Sequence, residues 1–191
     1  MRSAGLLLAA GAGTRMGRPK ALLVDDDGVP WLARAVSALR EGGCDEVVVV
    51  LGAAADEARS LVPEGATVVV ADDWAEGMSA SLRAGLLALE EGDADAALVS
   101  LVDLPDVTGA VVRRVLAAGA DRAALIRTTY DGRPGHPVVL GREHWLGVRA
   151  AAVGDAGARD YLAHHALVEV ECGDLASGRD VDRPPSGGSR G

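Results

Sequence analysis

Short, nearly unbroken apolar runs alternate along the chain with stretches in which apolar residues recur every three to four positions. The runs GLLLAA at 5–10 and EVVVVL at 46–51 lack the in–out alternation of a half-exposed strand. They predict strands of a parallel sheet covered on both faces. Further strands are predicted at 67–71, 96–102 and 123–128. Between them lie helical patterns. At 31–41, Leu32, Ala35, Val36 and Leu39 share one face, and the glycine pair that follows is a stop signal. A short helix is predicted at 56–62, ended by Pro63. Leu82, Leu86 and Leu89 align on a helix at 79–90, and Thr108 opens another at 108–118. The rhythm βαβαβαβαβ predicts an α/β fold, Rossmann-like, with three layers (α/β/α) around a mostly parallel sheet. After Thr129 the rhythm breaks. YDGRPGHPVVL reads as a turn and a strand or hairpin, a small β element near 130–140. Helices at 142–148 and 156–164 and a strand at 167–170 complete the body. The length fits one domain, placed at 1–184, and the Pro/Gly/Ser-rich end at 185–191 reads as a disordered tail.

Composition refines this picture. With no Phe, three Trp and two Tyr, the core has to be built from Leu, Val and Ala. A net charge of −9 argues against a nucleic-acid or anionic-membrane binder, which would carry a basic face. It leaves room for a small anion held by a few local cations. Cys44 and Cys172 form no C-x-x-C pair and have no histidines at zinc spacing, so both read as free thiols of a reducing cytoplasm. No apolar run approaches the ~18 residues of a membrane span. The apolar stretch near the start is short and runs at once into glycines and Arg15, so it reads as a first strand and not as an export leader.

The loop after that strand, 10–17, is rich in glycine and sits where α/β sheets bind ligands. It fails the dinucleotide pattern, because Met16 holds the third glycine position and the second strand ends in Leu51 and Gly52 with no acidic residue. It fails the Walker A pattern, because Arg18 follows Gly17. What remains is a loop whose backbone N–H groups can approach an anion, backed by Arg15 and Lys20. A polyphosphate suits it; a plain βα turn with solvated basic residues is the alternative.

Other stretches carry candidate chemistry. In LVSLVDLPDV, Asp103 lies just past a strand, where a carboxylate can hold Mg²⁺ beside a phosphate, or merely serve a turn. Asp106 suits the turn role better. Asp180 and Asp182 alternate in SGRDVDRPPS and offer a second carboxylate, or a solvated acidic end. In WAEGMSASLRAGL, Gly77 precedes a helix whose first turn holds Ser79 and Ser81; hydroxyls there can read a base or ribose, or simply cap the helix. Asp72 and Asp73 read as loop residues. His136 lies between Gly135 and Pro137, and Asp155 reads as the N-cap of the helix that carries Gly157 and Arg159, an anion-binding arrangement. His164 and His165 sit at a helix end and receive no chemistry.

LAAGAGTRMGRPKALL resembles the nucleotidyltransferase signature L-A-A-G-x-G/S-x-R-M-G-x-x-K. From residue 8 to about 184 the chain resembles the MobA-like NTP transferase domain, in its molybdenum cofactor cytidylyltransferase branch. The resemblance implies the nucleotide-diphospho-sugar transferase fold. It implies nucleotide binding by Leu8, Ala9, Ala10, Gly11, Ala12, Gly13, Arg15 and Lys20, and by Gly77, Met78, Ser79 and Ser81. It makes Lys20, Arg15 and Asp103 catalytic. Asp103 (in D-x-P) and Asp182 would be the ligands of Mg²⁺, with Mn²⁺ as the alternative ion; Arg183 and Ser186 depart from the family's Thr and Glu beside Asp182. His136, Asp155, Gly157 and Arg159 would bind the acceptor. The implied reaction moves CMP from CTP to the terminal phosphate of molybdopterin, releases pyrophosphate, and serves a molybdenum hydroxylase or its chaperone. LAAG in place of LAGG favours CTP over GTP. Sugar-phosphate or methylerythritol-phosphate transfer, and a non-catalytic nucleotide-binding accessory role, are the rivals.

Overall fold

The computed structural model describes residues 1–14 and 16–181. The expectations placed on Arg15, on Asp182 and on the tail 185–191 lie outside these residues. The described chain forms a seven-stranded sheet in the order β3-β2-β1-β4-β6-β5-β7. The strands are β1 (Ser3–Ala9), β2 (Glu46–Leu51), β3 (Thr67–Val70), β4 (Ala96–Leu101), β5 (Leu125–Tyr130), β6 (Arg133–Gly141) and β7 (Val168–Glu171). The helices are α1 (Trp31–Gly42), α2 (Ala55–Arg59), α3 (Met78–Glu90), α4 (Gly109–Ala117), α5 (Trp145–Ala151) and α6 (Arg159–Ala163).

The apolar runs are strands covered on both faces, as their pattern demanded. Every residue of β1 is buried. Successive side chains of a strand point to opposite faces, and the core divides accordingly. Leu7, Val49 and Leu98 pack under Leu32, Val36 and Leu39 of α1 and Val111, Val112 and Val115 of α4. Leu6, Leu8, Val48 and Val50 pack under Leu82, Leu86 and Leu89 of α3 and under Trp145 and Val148 of α5. This is the three-layer α/β/α arrangement. Trp145 is 1% exposed, and its indole N–H donates to the Leu140 carbonyl at 2.7 Å. The aliphatic core admits this large ring because its single polar atom finds a partner. The stop signal after α1 acts as expected: Gly43 takes the left-handed conformation at φ 107° and closes the helix.

Two helices and the seat of one strand differ from expectation. The strand expected near 130–140 forms as β6, nine residues long, antiparallel to both β4 and β5 and seated between them. Its run of small and β-branched residues is legible in the sequence, but its neighbours are not, because pairing depends on contacts distant in sequence. α2 stops at Arg59, well before Pro63. α6 begins at Arg159 and not at residue 156, because Gly157 turns the chain at φ 57°.

The order of strands fixes where a ligand can sit. From β1 the sheet runs to β2 and β3 on one side and to β4 on the other. The loops leaving β1 and β4 therefore diverge and open a crevice at the carboxyl ends of these two strands. Leu8 is paired with Leu101, so residues shortly after each lie side by side.

The far edge of the sheet is tied by a carboxylate. Glu171 accepts hydrogen bonds from the N–H groups of Asp131 (2.9 Å), Gly132 (3.1 Å) and Gly173 (2.7 Å) and from the Thr129 hydroxyl (2.8 Å). These donors hold its carboxyl down from 4.5 to about 2, the Gly173 N–H contributing most. Because the folded form releases its proton more readily than the unfolded form, the stabilisation is complete above about pH 4.5 and is lost as the pH falls toward 2. Urea unfolding midpoints of a Glu171→Gln variant are expected to lie below wild type at neutral pH and to converge on it across that window.

Candidate active site

The glycine loop leaves β1 at Ala10 and turns on itself at Gly13, whose φ is +60°. A Cβ there would lie 2.0 Å from the Arg18 carbonyl oxygen, so only glycine lets the Arg18 backbone approach this closely. The Met16 N–H donates to the Gly13 carbonyl at 2.8 Å, and Arg18 is spent on the Leu22 carbonyl at 2.7 Å. Pro19 then opens a 3₁₀ turn over Lys20–Leu22. This aims Lys20 inward: its ammonium meets Oδ2 of Asp103 at 2.6 Å, with side chains 18% and 13% exposed. Asp103 stands two residues past Leu101, the end of β4. The crevice between β1 and β4 thus holds a mostly buried ion pair at its seam.

Around that pair lies a cleft of about 680 Å³. One wall is the 8–13 loop. Trp74 and Gly77 from the turn before α3, Met78 and Ser81 from its start, and Asp155 and Asp180 also line the cleft. Leu8, Ala9, Ala10, Gly11, Ala12, Gly13, Lys20, Gly77, Met78, Ser81, Asp103 and Asp155 of the expected set therefore meet in one place.

Others do not face it. Ser79 is fully buried and structural: its N–H donates to the Gly154 carbonyl at 2.9 Å, and its hydroxyl accepts from the Gly157 N–H at 3.1 Å. The α3 N-terminus is thereby committed to the 154–157 loop. Asp155 does not cap its own helix. Its Oδ1 accepts from the Met78 N–H at 3.3 Å, capping α3 across the fold. Gly77, at φ 111°, permits this contact, since a Cβ would lie 2.4 Å from that same oxygen. Gly157 is outside the cleft lining and donates its N–H to Ser79. Arg159 is outside the cleft lining, its side chain 77% exposed and its Nε 3.6 Å from Asp160. His136 sits in β6 behind the cleft. Burial pushes its pKa down against the opposing pull of the Asp103 charge, and its carbonyl accepts from the Tyr130 hydroxyl at 2.7 Å.

Trp74 and Asp180 line the cleft without being marked by the family resemblance. Trp74 is one of only three tryptophans and stands just before a glycine turn, which is a usable signal. The family resemblance points to Asp182 for the second carboxylate, which lies outside the described residues; Asp180, the other carboxylate of that stretch, lines the cleft.

The charges define what the cleft can hold. Among its described lining residues, Lys20 faces three carboxylates, those of Asp103, Asp155 and Asp180. Asp103 and Asp180 are hard oxygen donors, and no group of three metal-binding side chains occurs among the described residues. That donor set fits an ion such as Mg²⁺ or Mn²⁺, which takes one or two carboxylates and completes its shell with phosphate and water oxygens.

Comparison with known proteins bears on this site. The family model for the MobA-like NTP transferase domain matches residues 5–170. The chain is 39% identical over 194 residues to a nicotine blue oxidoreductase of Paenarthrobacter nicotinovorans, covering 93% of this chain and 91% of that protein. The solved structure of Rv0371c from Mycobacterium tuberculosis H37Rv matches with a TM-score of 0.79 at 31% identity, over 96% of this chain and 93% of that one. Its complex with manganese matches with a TM-score of 0.72 at 29% identity, over 90% and 89%. A nucleotidyl transferase from Methanothermobacter thermautotroptrophicus matches with a TM-score of 0.78 at 25% identity, over 95% and 92%.

Proposed function

We propose that this chain, which belongs to the MobA-like NTP transferase domain family, transfers CMP from CTP to the terminal phosphate of a molybdopterin-type acceptor and releases pyrophosphate. The observation that carries this reading is the Lys20–Asp103 pair, held at 2.6 Å where the glycine loop meets the end of β4. The triphosphate lies over the 8–13 loop, whose backbone N–H groups take its oxygens. Lys20 exchanges Asp103 for phosphate and neutralises the charge that builds on the α-phosphate and the leaving pyrophosphate. Arg15 assists it from the same loop. Asp103 and Asp182, with Asp180 as a further donor, would hold the divalent cation, which would supply charge neutralisation to the phosphate oxygens when bound. The acceptor phosphate is already ionised at neutral pH and needs no strong general base, so catalysis rests on positioning and electrostatics. Ser81, Met78 and Trp74 form the nucleoside wall. Asp155 faces the acceptor, with His136, Gly157 and Arg159 behind or beside it. A single catalytic unit spans 1–184, and its need for intracellular CTP assigns its work to the cytoplasm. A molybdenum hydroxylase or its chaperone would receive the product. No helix among the described residues is long and apolar enough to cross a membrane.

The test is pyrophosphate release with Mg²⁺, acceptor and each of CTP, GTP, UTP and ATP. Release with CTP alone is the expected result. Release with GTP alone would make the chain a guanylyltransferase, and turnover with a sugar phosphate or methylerythritol phosphate would reassign the acceptor. Tight CTP binding with no release would favour an accessory role.

A second reading has one specific support, the 39% identity to a protein named as an oxidoreductase of nicotine blue. In that reading the cleft, lined in part by Trp74, would hold the substrate and the redox cofactor of an oxidoreductase, a nicotinamide dinucleotide being the one to test. β2 ends in Leu51 and Gly52, without the carboxylate that binds a dinucleotide ribose. Consumption of NADH, followed by its absorbance, separates the two readings.

A further inference from the structure

We infer that Asp106 is a positioning residue that fixes Asp180 in the cleft that Asp103 also lines, an inference that rests on the cation-site reading above. The segment that carries Asp180 leaves β7 and has no helix or strand of its own. It is held by side chains and turns. Arg114 of α4 grips Asp174, Nη2 meeting Oδ2 at 2.9 Å. Oδ2 of Asp106 accepts from both the N–H and the hydroxyl of Ser177, each at 2.6 Å. The Val181 N–H donates to the carbonyl of Asp103 at 3.0 Å. Between these last two ties, Gly178 turns at φ 61° against the Tyr130 ring, where a Cβ would lie 2.1 Å from Cε2.

The geometry is a closed frame. One short turn, 103–106, grips the 177–181 segment at both ends: Asp106 holds Ser177 and Asp103 holds Val181. Asp180 is the residue inside the frame that reaches the cleft. The same turn therefore supplies one carboxylate and sets the place of the other. Oδ1 of Asp106 is buried with no hydrogen-bond partner among the described residues, so this carboxylate incurs a desolvation penalty that a purely structural tie could avoid. Groups behind metal ligands govern affinity through ligand geometry, and their loss weakens binding about 10- to 100-fold.

The experiment is titration of the full chain with Mn²⁺, following the free ion by electron paramagnetic resonance. Asp106→Ala is expected to weaken Mn²⁺ binding about 10-fold, as Asp180→Asn does, and the double variant to bind no more weakly than Asp180→Asn alone. Asp106→Asn is expected to bind nearly as wild type, because one amide oxygen can accept both Ser177 hydrogens. CTP binding in the presence of a chelator stays unchanged in Asp106→Ala. Ser177→Ala gives a smaller weakening and carries the test if Asp106→Ala does not fold. Wild-type Mn²⁺ affinity in Asp106→Ala, or a loss that adds fully to that of Asp180→Asn, overturns the inference alone. No Mn²⁺ binding by the wild-type chain overturns the cation-site reading and the inference with it.

Discussion

Replacing Lys20 by methionine is expected to lower turnover by about 10²- to 10³-fold, the scale of removing one preorganised electrostatic donor (about 3–4 kcal/mol). Burial gives this residue its weight. Lys20 and Asp103 meet at 2.6 Å with little exposure of either side chain. Removing one partner leaves the other charge poorly solvated and destabilises the fold. Stability and catalysis then part company in the double variant Lys20→Met/Asp103→Asn. The charge that either single variant strands within the pair is gone, so its thermal midpoint is expected to recover toward wild type. Its turnover stays at the floor of the single variants, because both the cation that meets phosphate and the carboxylate that meets metal are gone. A purely structural ion pair would instead show activity recovering with stability. The measurement is a double-mutant cycle in which midpoint and turnover are recorded on the same four proteins.

Gly13→Ala is expected to abolish measurable nucleotide binding while the sheet stays folded. Two penalties coincide at this position. A φ of +60° is strained for any residue with a Cβ, and that Cβ would lie 2.0 Å from a backbone oxygen that cannot move without opening the loop. Gly17 separates the two effects. It has φ +74°, but a Cβ there would meet nothing within 4 Å, so Gly17→Ala carries only the backbone strain, about 1 kcal/mol. Calorimetric titration with CTP is expected to show binding lost in the first variant and retained, within a few-fold, in the second.

These residues also show how far the sequence reaches. β1, β2 and β4 are legible because strands buried on both faces leave unbroken apolar runs, and the helices because one apolar face leaves a period near 3.6. The seat of β6 between β4 and β5 is not, since no local pattern encodes which distant strand a run will pair with. At the site, the glycine loop, Lys20 and Asp103 can be read because local motifs place them at strand ends. Ser79 and Asp155 read locally as a helix serine and a helix cap. The fold instead joins them across more than seventy residues, and their hydrogen bonds go to each other's loops. Asp180 is hidden for a different reason: local alternation does not encode the contacts, distant in sequence, that tie Ser177 to Asp106 and Val181 to Asp103.

Attack at the α-phosphorus of a nucleoside triphosphate bound over the glycine loop is tested most directly by following label from CTP that carries radioactive phosphorus at either the α or the γ position, with Mg²⁺ and a molybdopterin-type acceptor. The α label is expected to appear in the acceptor product and the γ label in pyrophosphate. The γ label in the acceptor, or neither label moving while NADH is consumed in a parallel reaction, would contradict it.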